Sequence, residues 1–334
     1  MTIAFIFRKP NPAFFSIERV FASIMAEMRV QGQVIEEFSM PRYGPAMANF
    51  VSACKHSVRK SAAVYHVTGD IHYAVLVLPP SRTVLTIHDC VFLFRQKGLK
   101  GWLLKRLFLD WPVRRCKMIT TISEATKKDI VRFTGCRPEK IRVIPNPIQE
   151  NIRYMERPFR KDRPRILFVG ITPNKNLQRV INALAGLPCH LRVIGTLPKE
   201  AASALHERQV EYSSASGLTD DEMAAEYVKA DLLLFPSLFE GFGLPIVEAQ
   251  KTGRAVITSD RSPMKDVAGE GARLVDPESE EAIRSAVTEV IEDAAYRQRI
   301  IAAGRLNAAR FDNREITRQY LSCYSELLDK SALL

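Results

Sequence analysis

Short, predominantly apolar runs alternate along this chain with longer stretches in which apolar residues recur at three- and four-residue spacing. The runs are Thr2–Phe7, Gln33–Phe38, Ala62–Val67, Thr83–Ile87, Lys117–Ile122, Ile141–Ile144, Arg165–Val169, Leu191–Ile194, Leu232–Phe235 and Ala255–Ser259. Runs this short, bounded by turn residues, have the size of buried strands. Helical spacing covers Phe15–Met28, Leu177–Leu184, Asp220–Ala230, Glu280–Glu292, Ala295–Ala308 and Arg314–Leu328, and Ser123-Glu124 opens one more helix. Thr219 has the chemistry of a cap, with acids following in the first turn, and Glu211–Leu218 reads as a strand or loop. Strand, helix, strand in this order predicts an α/β fold with parallel sheets covered by helices on both faces. Pro145-Asn146-Pro147 and the polar stretch to Pro164 read as a linker. The expected domains are 1–157 and 158–312, with 313–334 a final helix.

One stretch concentrates the candidate chemistry, Leu232 to Gly253. A buried strand ends at Pro236, and Glu240-Gly241-Phe242-Gly243 follows, two glycines that permit positive φ and close approach of a ligand. Pro245 suits the first turn of a helix, and Gly253 suits its end. A loop of unpaired N–H groups running into a helix N-terminus is an anion site in waiting. Glu240 and Glu248 bracket it, and spacing alone leaves a tight turn and an anion site equally open. In the loop after Gly170, Lys175 stands at another helix N-terminus, where a cation opposes the dipole. No acid occurs in that turn, so a bound anion is the expected compensation. His88-Asp89 closes the Thr83–Ile87 strand, at the end of a parallel strand where open sheets bind ligands.

Composition narrows the class. The chain has 334 residues, net charge +11, and six scattered cysteines with no C-x-x-C pair, so neither a disulfide framework nor a zinc site is indicated and a reducing compartment is expected. No apolar run approaches the ~20 residues of a membrane span, and the first residues read as a strand rather than a signal peptide. The basic excess is confined to the first half: through Arg157 there are 25 Lys and Arg against 12 Asp and Glu, and thereafter 23 against 25. Much of it lies in Phe92–Met118, where Arg95, Lys97, Lys100, Lys105, Arg106, Arg114, Arg115 and Lys117 are interleaved with both tryptophans, Trp102 and Trp111, and a single acid, Asp110. Such a segment suits an anionic membrane surface as well as it suits a helix burying its leucines. No nucleic-acid-binding motif accompanies it.

Beyond these local readings, the chain resembles the GT-B retaining glycosyltransferases of family 4. Phe235–Asp276, FPSLFEGFGLPIVEAQKTGRAVITSDRSPMKDVAGEGARLVD, is similar to that family's E-x7-E core. FVGITPNKNL is similar to its phosphate loop, and TIHD, TTISE and KIRVIPNPI, earlier in the chain, are similar to landmarks of its acceptor domain and hinge, the five standing in the family's order. The resemblance implies two doubly wound Rossmann-like domains facing across a cleft, the first for acceptor and the second for nucleotide sugar, with the final helix crossing back to the first. It implies roles for residues at the matching positions. Glu240 would hold hydroxyls of the transferred sugar, and Glu248 the ribose hydroxyls. Gly241, Phe242, Gly243 and Leu244 would present backbone groups to sugar and diphosphate. Lys175 would neutralise the leaving diphosphate beside Gly170 and Asn174, His88 would meet the sugar from the acceptor side, and Leu218 would contact the base. The chain departs from the pattern in several places. Asn174 and Ile171 stand where relatives carry arginine, Asn11-Pro12-Ala13 where they carry a glycine-rich loop, Gln250 where methionine is common, and Asp266 where glutamate is common.

The implied activity is retaining hexosyl transfer from a UDP- or GDP-linked sugar to a glycan or lipid-linked acceptor, in cell-surface polysaccharide or lipopolysaccharide synthesis. No D-x-D occurs, so no metal and no other cofactor is expected. The expected location is cytoplasmic, peripheral to the membrane, with no nucleic-acid partner. Two other readings stay open on the residues alone: an epimerase or hydrolase acting on the same donor, and a basic, non-catalytic binding module.

Overall fold

The computed structural model describes residues 1–10, 16–59, 61–90 and 98–332. The chain forms two compact units, Met1–Pro147 with Asn313–Leu334, and Ile148–Asp312. Among the described residues, unit 1 contains β1 (Thr2–Phe7), α1 (Ser16–Val30), β2 (Val34–Ser39), α2 (Met47–Arg59), β3 (Val64–Val67), β4 (Thr83–Ile87), α3 (Gly98–Lys105), a π-turn (Arg106–Asp110), α4 (Trp111–Arg115), β5 (Met118–Thr121), α5 (Glu124–Thr134) and β6 (Ile141–Val143). Unit 2 contains β7 (Arg165–Val169), α6 (Leu177–Leu184), β8 (His190–Ile194), α7 (Lys199–Glu207), β9 (Glu211–Ala215), α8 (Asp220–Lys229), β10 (Leu232–Phe235), α9 (Leu244–Thr252), β11 (Ala255–Ser259), α10 (Met264–Ala268), β12 (Arg273–Val275), α11 (Glu280–Glu292) and α12 (Ala294–Ala308). The last helix, α13 (Asn313–Ala332), belongs to unit 1.

Each unit is built on a six-stranded sheet, in the order β2-β1-β3-β4-β5-β6 and β12-β11-β10-β7-β8-β9, and the pairings within both sheets are parallel. The period-two geometry of a strand explains the continuous apolar runs of the inner strands, both of whose faces are covered, whereas the edge strands β2 and β9 are exposed or half-buried along their length. In β1, Ile3, Phe5 and Phe7 enter a core with α1 and α13, while Ala4 and Ile6 enter a second core on the opposite face. α13 is tied to the unit 1 sheet by a buried polar chain. The Tyr324 hydroxyl lies 2.6 Å from His66 Nδ1, His66 Nε2 lies 2.7 Å from Thr86 Oγ1, and Thr86 Oγ1 lies 2.6 Å from Thr120 Oγ1. Burial lowers the His66 pKa to about 3, so the ring is neutral and serves as a fixed hydrogen-bonding link.

Residues 148–164, expected as linker, are packed into unit 2. Ile148 N donates to Phe311 O at 2.9 Å, Met155 N to Thr252 O at 3.3 Å, and the Arg305 guanidinium sits 3.8 Å over the Tyr154 ring. These contacts hold its backbone against unit 2, while most side chains from Arg153 to Arg163 are exposed, which accounts for the polar composition of the stretch. The unit boundary therefore falls at Pro147, ahead of the expected residue 157. Gln250, the departure from methionine, is 1% exposed and fully occupied: Nε2 donates to Ala268 O and Gly271 O, and Oε1 accepts from Asn307. A buried amide is tolerated when its donors and acceptor are satisfied.

Candidate active site

The strand order of unit 2 decides where its site lies. From β7 the chain moves outward through β8 and β9, then returns to the other side of β7 with β10 and continues to β11 and β12. The loops after β7 and β10 therefore diverge at the carboxyl ends of neighbouring strands, the crevice where open α/β sheets hold ligands. These two loops are the ones the sequence singles out, and they are stitched together. Leu238 N donates to Asn174 O at 2.7 Å, Asn174 Nδ2 to Phe239 O at 3.0 Å, and Asn176 Nδ2 to Pro236 O at 3.1 Å and Pro277 O at 2.6 Å. Asn176 is 5% exposed and has φ 70°, a left-handed conformation that asparagine tolerates better than most residues.

Lys175 Nζ lies 2.6 Å from Glu240 Oε1, with the two side chains 17% and 13% exposed, and 4.5 Å over the Phe235 ring. Where the sequence led to a bound anion beside Lys175, the structure pairs the lysine with a carboxylate of the chain itself, 65 positions away. Local sequence could not show this, because only the pairing of β7 with β10 brings the two loops together. Gly170 makes room for the lysine: its φ is 90°, and a Cβ there would lie 2.9 Å from Lys175 Cε. Of the two glycines in the β10 loop, Gly243 has φ 101°, whereas Gly241 is not among the residues with positive φ. Gly243 is the cap residue of α9 and no side chain caps that helix; Pro245 has no N–H and Ile246 N donates to Gly243 O at 3.0 Å, so the backbone at Gly243–Leu244 is what this helix start presents to the crevice. Phe242 is buried edge-on against Phe311 at 5.7 Å, which fixes the loop around its backbone.

Glu248 lies farther along α9, where its Oε2 accepts from the Tyr227 hydroxyl at 2.6 Å. Leu218 stands one residue before Thr219, whose capping box with Glu222 starts α8. The structure thus brings Gly170, Asn174, Lys175 and Glu240 into one constellation, with the Gly243–Leu244 helix start and Glu248 on the element that follows. Sequence reasoning missed Asn176 and Tyr227: the first reads as an ordinary loop polar residue, and the second as a core aromatic.

His88 belongs to unit 1, immediately after β4. Its Nε2 lies 2.8 Å from Thr68 O; a carbonyl only accepts, so Nε2 carries the hydrogen and Nδ1 presents a lone pair. Burial holds the imidazole below its ordinary pKa, with the bond to the Thr68 carbonyl acting in the opposite direction. Gly69, at φ 135°, lets the ring pack on the backbone, since a Cβ there would meet His88 Cδ2 at 2.6 Å. The Asn11-Pro12-Ala13 loop lies outside the described residues, as do Arg95 and Lys97.

The basic segment divides between its two readings. Leu107, Phe108, Leu109 and Val113 pack in the core of unit 1, and Arg115 donates to the Val75 and Leu78 carbonyls. Asp110, buried in the π-turn, pairs with Lys105 at 2.6 Å and Arg106 at 3.4 Å. Leu99, Trp102, Leu103 and Trp111 are exposed, Leu99 by 81%, alongside exposed Lys100, Arg114 and Lys117. No helix among the described residues is long and apolar enough to cross a membrane.

Two parallel six-stranded Rossmann-like units, one carrying a glycine-turned, uncapped helix start at its switch point, define the GT-B class. Residues 153–307 match the family described as Glycosyl transferases group 1, and residues 21–151 match Glycosyltransferase Family 4. The chain belongs to this glycosyltransferase family. It is 25% identical over 281 residues to the serotype-specific mannosyltransferase WbdA of Escherichia coli, a match covering 75% of this chain and 34% of WbdA, so it spans about a third of that relative. It is 24% identical to the O-antigen chain mannosyltransferase B of Escherichia coli, over 74% of this chain and 71% of the relative. HepE of Anabaena, solved with UDP-glucose, superposes with a TM-score of 0.76 at 16% identity, over 98% of this chain and 100% of HepE; that likeness speaks to the fold.

Proposed function

We propose that the chain transfers a hexosyl group, with retention and without a metal, from a UDP- or GDP-linked sugar to a glycan or lipid-linked acceptor of a bacterial surface polysaccharide. The observation that carries this reading is the Lys175–Glu240 pair at the unit 2 switch point, 2.6 Å apart and flanked by the N-terminus of α9. The reaction needs two opposite charges a few ångströms apart: a cation for the departing diphosphate and a carboxylate for the hydroxyls of a sugar that becomes oxocarbenium-like. An ion pair held ready in a partly desolvated crevice supplies both, and each partner exchanges the other for one end of the donor. The Gly243–Leu244 backbone at the start of α9 adds to the diphosphate side, and Glu248 takes the ribose. Within unit 1, His88 is neutral and its Nδ1 lone pair suits it to accept from a hydroxyl. The absence of D-x-D from the sequence supports transfer without metal, and the names of the relatives make mannose the first sugar to test.

The test is a panel of UDP- and GDP-hexoses, scored by thermal stabilisation and then by turnover with glycan and lipid-linked acceptors. Donor binding lost in both Lys175→Ala and Glu248→Ala, an unchanged rate in EDTA, and an unchanged anomeric configuration in the product are the expected results. Donor binding unaffected by both substitutions would defeat the site. Donor turnover without acceptor would favour an epimerase or hydrolase. The exposed Trp102, Leu103 and Trp111 beside Lys100 and Arg114 support work at the cytoplasmic face of an anionic membrane. Vesicles containing phosphatidylglycerol should sediment the protein at low salt and release it at high salt.

A further inference from the structure

Tyr227 is one of the largest side chains in the molecule with no exposure to solvent. A phenol buried that deeply needs a partner for its hydroxyl, and the partner chosen distinguishes packing from function. In unit 1, Tyr65 and Tyr73 donate to the backbone carbonyls of Ser57 and Gly44, which ties loops to the core. Tyr227 instead donates to Glu248 Oε2 at 2.6 Å, the short distance expected of a hydroxyl on a carboxylate. Both ends of this bond are held. α8, which carries Tyr227, starts from the Thr219–Glu222 capping box, with Glu222 Oε2 accepting from Thr219 N at 2.8 Å. On α9, the backbone carbonyl of Glu248 accepts from Thr252 Oγ1 at 2.9 Å. Burial and the neighbouring carboxylate push the phenol well above its ordinary pKa, so it remains a donor throughout the working range of pH.

We propose that Tyr227 is the positioning residue of the donor site, fixing the Glu248 carboxylate in the orientation that reads the ribose hydroxyls of a nucleoside diphosphate. The proposal rests on the assignment of Glu248 to the ribose made above. A glutamate has three side-chain torsions, and ordering them on binding costs affinity. A phenol bonded to one carboxylate oxygen removes that freedom before the ligand arrives. A site built to bond a hydroxyl also discriminates against the analogue that lacks it, so the ratio of affinities for ribo- and deoxyribonucleotide reports the orientation directly.

The experiment is calorimetric titration of the full chain with UDP or GDP, whichever the unmodified protein binds more tightly, and with the 2′-deoxy counterpart. The unmodified protein is expected to prefer the ribonucleotide about tenfold or more. Y227F, which keeps the ring and removes only the hydroxyl, should weaken ribonucleotide binding severalfold and leave deoxynucleotide binding unchanged. E248A should abolish the preference, and adding Y227F to E248A should cause no further loss of preference. Y227H, which returns a donor to the site, should recover part of it; melting curves confirm that the variants are folded, and either Tyr227 variant suffices if the other is not. Y227F that keeps the full preference while E248A loses it would overturn the proposal and leave the Glu248 assignment standing. E248A that keeps the preference would overturn that assignment, and the proposal with it.

Discussion

In unit 1, the switch point of the sheet falls between β1 and β3, and the loops that diverge there carry Arg8 and Asp70. In unit 2 it falls between β7 and β10, and the diverging loops carry Lys175 and Glu240. An ion pair bridges the crevice in both. Arg8 contacts Asp70 and, through Nε and Nη2, both oxygens of Glu18 at 2.8 and 3.0 Å. Each unit also has a glycine of positive φ whose missing Cβ admits a candidate site side chain: Gly69 under His88, and Gly170 under Lys175. The difference is saturation. Arg8 is a planar fork shared by two carboxylates, one of them bidentate, a geometry suited to holding loops in place. Lys175 is a point charge on a flexible stem with one carboxylate partner, beside an uncapped helix N-terminus. The same topology therefore yields a shared clasp in one unit and a single ion pair in the other, the pair proposed above to exchange for donor.

The comparison breaks most directly at the two cations. Lys175→Ala should lower kcat by about 10²–10³-fold, the scale of removing one preorganised contact to developing charge. Arg8→Ala should lower the melting temperature while changing kcat less than Lys175→Ala does. Equal losses of kcat from the two, measured with saturating donor and acceptor, would mean that both pairs are catalytic.

Acidification should separate the units next. His66, His72 and His88 of unit 1 are all held below the ordinary imidazole pKa, with burial as the leading cause. For His66 the unfolded imidazole protonates near 6.5 and the folded one near 3. Between those values the unfolded state binds more protons, so stability is complete above about pH 6.5 and falls by up to about 1.4 kcal/mol per pH unit as pH drops. In unit 2, burial pushes the Glu226 carboxyl up, but the hydrogen bonds and charges of Arg192 and Arg165 together outweigh it and hold Glu226 below its ordinary value, so its contribution is lost only as pH falls below about 4.5. Hydrogen exchange at pH 5 should therefore show unit 1 losing protection first. Urea titrations of His66→Gln between pH 4 and 7 should show a shallower pH slope than the parent.

Smaller effects sharpen the parallel between the glycines. Gly69→Ala and Gly170→Ala should each cost about 1–3 kcal/mol of stability, from positive φ together with a displaced side chain. Gly170→Ala should also weaken donor binding by moving Lys175. Trp102→Ala, at an exposed site, should change stability by less than about 0.5 kcal/mol while reducing vesicle sedimentation; unchanged sedimentation would remove the membrane role from α3.

Much of this was legible in the chain because its signals are local. A strand buried on both faces must be continuously apolar, and Gly243, Pro245 and Gly253 mark the start and stop of α9 by backbone chemistry that no distant contact alters. The E-x7-E spacing, the lysine loop and the TIHD strand end could be found for the same reason. Tertiary structure alone decided the partnerships. Strand order placed Glu240 against Lys175 across 65 positions, bonded Tyr227 to Glu248, and turned a polar apparent linker into the edge of unit 2. It also divided one basic amphipathic segment into core leucines, a carboxylate-bound π-turn and an exposed tryptophan face. Periodicity specifies which residues share a face of one element. Which elements become neighbours is set by the order in which strands add to a sheet, and there the candidate chemistry of this protein is assembled.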